Sequence, residues 1–135
     1  MYRCIDSHIC SAFALAVAVW AVPATPAHAQ MQRPFPADAL RGTITVLQPP
    51  EIQLNGQAQR LSPGSRIRNE NNLLEMSGAL INRKLIVNYN LDNLGLVKDV
   101  WILTEAERAK RPWPTTPRQA QEWIFDPQTQ TWSRP

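Results

Sequence analysis

Beyond Ala29 the sequence has no cysteine and no histidine; Cys4, His8, Cys10 and His28 are all it contains. The rest of the chain therefore cannot assemble a Ser-His-Asp or Cys-His nucleophile. A zinc site there would depend on carboxylates alone. Disulfides are excluded too, so that part must hold together by packing. Glycine is scarce, five in 135 residues, and no cluster of them forms a phosphate-cradling loop or a nucleophile elbow. No apolar run reaches the roughly 20 residues that a membrane-spanning helix needs.

What is there begins with a leader. Ile9 to Val22 is an apolar run of about 14 residues, the length of a secretory h-region. Arg3 precedes it, Pro23 and Pro26 end it, and Ala27-His28-Ala29 offers small residues at a cut. Residues 1–29 are expected to be a signal peptide, with the mature chain in the periplasm or secreted and no membrane span in it. Cys10 follows Ser7-His8-Ile9 rather than the small residues that precede a lipidated cysteine.

From Gln30 onward ten Arg and three Lys face six Glu and four Asp. This basic excess, nearly all Arg, suits either a solvated surface or an anionic partner. A chain of this length supports one modest core, not two. It divides into a flexible lead-in over 30–39 with Pro34 and Pro36, a β domain over 40–103, and a tail over 104–135 with a helical turn, prolines and tryptophans.

Gly42 to Leu47 is β-branched and reads as a first strand ended by Pro49-Pro50. Glu51 to Leu54 alternates polar and apolar, Asn55-Gly56 fits a type I′ turn, and Gln57 to Leu61 returns as the hairpin partner. Ser62-Pro63-Gly64-Ser65 reads as a second turn before the short strand Arg66-Ile67-Arg68. Leu73, Leu74 and Met76 are expected to cover an open end of the core. Leu85, Val87 and Tyr89 share one face at period two, and Leu96 to Leu103 returns after the turn Asp92 to Gly95. Short strands with tight turns and no room for crossover helices predict a mainly β fold, a small antiparallel OB-like or SH3-like barrel. A small open sheet with a helix packed on it is the alternative.

In the tail, Thr104 to Glu107 fits a capping box, and Pro112 limits that helix to about Arg111. Thr116-Pro117 begins a second short helix. Trp123-Ile124-Phe125 and Gln130-Thr131-Trp132 form a hairpin whose tryptophans can meet across the strands. Trp113, Trp123 and Trp132 either cover the barrel or form an aromatic patch for an envelope protein, a glycan or a Pro-rich chain.

Two further chemistries can be weighed. Arg60, Arg66, Arg68 and Arg83, with Lys84, could line one barrel face and hold an anionic polymer or nucleic acid, although stacking aromatics are missing there. Otherwise these Arg flank turns and keep edges soluble. A carboxylate-based hydrolase would need two converging acids. Glu51, Glu70, Glu75, Asp92 and Asp99 stand beside Arg, Lys or Asn, and no spacing among them stands out.

Gly42 to Leu103 resembles small exported bacterial domains of unknown function with OB-like strands. The residues that carry the likeness are Gly42-Thr43-Ile44-Thr45-Val46, the Asn55-Gly56 turn and Gly95-Leu96-Val97. The resemblance implies an envelope or periplasmic accessory domain and carries over no active residues. The sequence reading is thus an exported, non-catalytic binding or scaffolding protein, with no catalytic residue, cofactor or metal expected.

Overall fold

Asn55 and Gly56 both take positive φ, 53° and 79°, and close the turn between strands β2 (Glu51–Leu54) and β3 (Gln57–Arg68). Leu54 lies opposite Gln57, as a two-residue type I′ hairpin requires. The computed structural model describes residues 32–135; the signal peptide expected over 1–29 lies outside the described residues.

Around this hairpin the fold is mainly β. β1 (Leu40–Gln48) pairs with β2 on one side and with β5 (Lys84–Leu91) on the other. β5 pairs with β6 (Val97–Ile102), and β6 returns to β3. Five strands thus follow one another round a barrel-like ring. The expectation of a wholly antiparallel barrel needs one correction, because β3 and β6 are parallel. Five is odd, so strands in a ring cannot all alternate in direction, and one pair must run the same way.

Ser62 to Ser65 do not turn the chain. They lie inside β3, where its pairing with β6 jumps from Leu61 to Arg66. Pro63 has no amide to donate and Gly64 sits at φ 76°, so these residues form a bulge within the strand. The bulge follows the residues Gln57 to Arg60 that pair with β2, and β6 pairs on both sides of it, at Leu61 and over Arg66 to Arg68. Gly42 serves closeness rather than turning: a Cβ there would lie 2.9 Å from both the Asn55 amide oxygen and the Tyr89 ring.

Val46, Ile52, Val87, Val97 and Val100 fill the ring, each almost fully removed from water. Leu73, Leu74 and Met76 do not cover its end, being 63%, 70% and 82% exposed. The Asn69 side-chain oxygen accepts from the amides of Asn71 and Leu73 and folds that loop on itself. Leu74 then joins only the two-residue edge strand β4 (Leu74–Glu75). Leu80, at the end of the 3₁₀ turn Ser77–Leu80, takes the core position instead.

The single core expected from chain length is in fact two clusters. Strand alternation points Val100 and Ile102 into the ring and leaves Trp101 facing out. Phe35, Ala39, Leu103, Trp113 and Trp132 gather with Trp101 in a second cluster. The supposed flexible lead-in is pinned into it. Arg33 Nε donates to Glu107 at 2.8 Å, and its terminal nitrogens donate to Glu107 and to the Asn69 and Ile102 carbonyls. The Phe35 amide donates to the Gln130 side-chain oxygen at 2.7 Å, and the Phe35 ring stands edge-on to Trp101 and Trp113.

Candidate functional site

The tail supplies most of the site. Thr104 caps α1 (Glu105–Ala109) through the reciprocal box with Glu107. Thr116 caps α2 (Pro117–Glu122), with Pro117 in the first turn. Between them Arg111 to Thr115 crosses in extended form. After α2, β7 (Ile124–Asp126) and β8 (Thr131–Ser133) form a hairpin in which Phe125, not Trp123, lies opposite Trp132.

The three tail tryptophans have different fates. Trp113 and Trp132 are 6% and 4% exposed. They meet edge-on at 6.1 Å, and the Trp113 indole N–H donates to the Ala39 carbonyl at 3.0 Å. Both cover the ring, so neither presents its ring broadly to a partner. Trp123 is half-buried, with the Arg134 guanidinium 5.1 Å above its ring.

The four arginines singled out on the β domain are not gathered into one patch. Arg60 pairs with Glu51 at 3.0 Å, and Arg68 pairs with Asp99 at 3.6 Å while lying over the Trp101 ring. Arg66 is exposed on the same strand. Arg83 precedes β5 at the end where Thr45 lies opposite Lys84, away from the Asn88–Trp101 pair that flanks Arg68. The carboxylates are similarly dispersed. Asp92 accepts from the Ser62 hydroxyl and two backbone amides of its own turn, and Glu75 accepts from Asn69. Among the described residues no group of three His, Cys, Asp or Glu side chains is placed to hold a metal ion, and no helix is long and apolar enough to cross a membrane.

A different set of arginines does converge. Arg41, Arg111 and Arg134 line one open groove of about 700 Å³ with Pro112, Trp113, Thr115, Trp132 and Ser133. That volume is within the range of small-ligand sites, roughly 300–1,000 Å³. No carboxylate lines the groove, and among the described residues none of the three arginines belongs to an ion pair. Glu107, the acid whose charge acts on Arg41, is already held by Arg33.

Each arginine is placed differently. Arg41 projects from β1 with its guanidinium 4.9 Å from the centre of the Trp113 ring. It donates to the carbonyls of Glu107, Arg108 and Lys110 and to the Asn88 side-chain oxygen. Those carbonyls lie at the C-terminal end of α1, where a cation is favoured, and the Glu107 carbonyl also accepts from the Lys110 amide at 3.2 Å. Burial, and then the charge of Arg111, push the Arg41 pKa down to about 10, with Glu107 pulling the other way. It stays protonated at neutral pH, in a place already short of negative charge. Arg111 and Arg134 are exposed, and among the described residues neither side chain makes a hydrogen bond within the protein. Trp132 adds a buried indole N–H that finds no acceptor among the described residues.

The sequence reading missed this set because its members lie far apart in the chain. The available signal was local: Arg111 stands two residues before Trp113, and Arg134 two after Trp132. Chemically the groove can attract and hold oxygen anions; its lining contains no nucleophile–base pair and no paired acids. The chain matches no protein-family model, no curated protein and no solved structure.

Proposed function

We propose that this protein is an exported, non-catalytic binding domain of the cell envelope, and that its ligand is anionic and lies in the groove of Arg41, Arg111 and Arg134. One observation carries the reading. Three arginines from separate segments line a single open groove whose lining, among the described residues, includes no carboxylate residue. Arg60, Arg68 and Arg118 are each paired with an acid; Arg66, Arg83 and Arg108 belong to no ion pair among the described residues either, but none of them lines this groove. Export rests on the leader over 1–29, and the likeness of Gly42 to Leu103 to exported OB-like domains belongs to the same proposal. An envelope protein or glycan remains the proposed kind of partner. Its contact surface is then the arginine rim, with Trp113 and Trp132 as the support beneath.

Retention on immobilised heparin tests the reading. Binding through the groove should weaken steadily with salt as counterions compete. Arg111→Ala with Arg134→Ala should elute at clearly lower salt than the unaltered protein, whereas Arg66→Ala should change little. Absence of retention at low ionic strength, or retention indifferent to the double substitution, overturns it.

A further inference from the structure

Resting on the groove as an anion site, we infer that it is built for a phosphomonoester carried on a sugar. Three features lead there: charge, donor arrangement and the apolar wall.

A single carboxylate would neutralise one of three guanidinium groups. A phosphomonoester brings about −1.5 to −2 at neutral pH and three acceptor oxygens. Arg41 has spent most of its donors on Asn88, Glu107, Arg108 and Lys110, so it contributes mainly charge. Arg111 and Arg134 line the groove from two segments of the tail; among the described residues neither donates a hydrogen bond, and the Arg134 guanidinium rests 5.1 Å from the Trp123 ring with its donors uncommitted. One fork occupies both oxygens of a carboxylate when it binds bidentately. A tetrahedral phosphate can offer different edges to two forks, and Ser133 is also part of the lining. Burial first, and then the positive charge of Arg111, lower the Arg41 pKa, so Arg111 acts on Arg41 as a second cation.

The groove is also larger than a bare phosphate needs. Pro112 is the partly open apolar residue of its lining, against which the carbon face of a sugar ring can rest, while Trp113 is buried behind it under the Arg41 guanidinium. The ester therefore has a place for its organic part as well as its charge.

Titration calorimetry of the unaltered protein with glucose 6-phosphate, inorganic phosphate, glucuronate and glucose tests the inference. Glucose 6-phosphate should bind about tenfold or more tightly than glucuronate or inorganic phosphate, a difference of about 1.4 kcal/mol. Glucose should show no binding. Affinity for glucose 6-phosphate should fall below about pH 6, where the ester takes up its second proton, and Arg111→Gln and Arg134→Gln should each weaken it about tenfold. Glucuronate binding as tightly as glucose 6-phosphate overturns the phosphate preference and leaves the anion groove standing. Inorganic phosphate binding equally well overturns the sugar. If none of the four binds, the inference fails; heparin retention that still depends on Arg111 and Arg134 would then preserve the groove reading, and its loss would remove both.

Discussion

Replacing Arg33 by alanine should destabilise the protein far more than its place in a Pro-flanked lead-in suggests. Its side chain is 7% exposed and that of Glu107 is 11% exposed. Removing one member of such a pair leaves a buried charge without its partner, which costs about 3–5 kcal/mol. Glu107 keeps one donor, the Thr104 amide at 3.1 Å, so the lower end, about 3 kcal/mol, is expected. The Asn69 and Ile102 carbonyls lose their guanidinium donors at the same time. For a domain of this size the corresponding drop in Tm is roughly 15 °C. Urea unfolding followed by tryptophan fluorescence gives the free energy, and the m-value shows whether the strap still docks. Glu107→Gln, which keeps the shape, should also destabilise by leaving Arg33 charged and buried. Arg118→Ala is the internal control: its pair with Glu122 is 85% and 50% exposed and should be worth less than about 0.5 kcal/mol. A loss at Arg33 as small as the loss at Arg118 refutes the reasoning.

Further outcomes follow from the packing and the turns. Gly42→Ala should cost about 1–3 kcal/mol in urea unfolding, because its Cβ meets the Tyr89 ring, which cannot swing aside as the Asn55 amide can. Trp132→Ala should cost about 3–5 kcal/mol, and Trp123→Ala clearly less; equal small losses would mean that the tail does not pack as described. The Ser62 hydroxyl, and then the Leu96 amide, hold the Asp92 carboxyl below its usual pKa. A carboxyl with a lowered folded-state pKa contributes stability above its unfolded value and loses it as pH falls through the folded one. Asp92→Asn should therefore reduce stability at pH 7 while flattening its decline toward about pH 3; an unchanged acid limb in the urea midpoints would contradict this.

How much of this was legible in the sequence depends on how far each feature reaches along the chain. The Asn55-Gly56 hairpin, the Thr104–Glu107 box and the Thr116 cap are set by residues within one turn of each other. Ser62 to Ser65 have turn chemistry too, but Leu61 before them and Arg66 after them both pair with β6, so the same residues become a bulge within one strand. Arg33 finds Glu107 across 74 positions, and no local pattern could show that the lead-in is fixed. Leu73, Leu74 and Met76 are apolar enough for a core, yet the Asn69 loop carries them outward. The candidate site was hidden for a similar reason. Tryptophan and arginine were recognised as its materials. The arginines that converge, however, come from β1, from the link between the helices and from the last residues after β8.

Nitrogen–proton spectra of the arginine Nε–H and tryptophan indole groups, recorded while heparin oligosaccharide is added, show whether an anion is held by the tail groove or by the outer surface of the ring. Arg41, Arg111, Arg134 and the Trp113 and Trp132 indoles should shift together and saturably. Shifts confined to Arg60, Arg66, Arg68 and Arg83, with the groove resonances unmoved, would contradict anion binding in the groove.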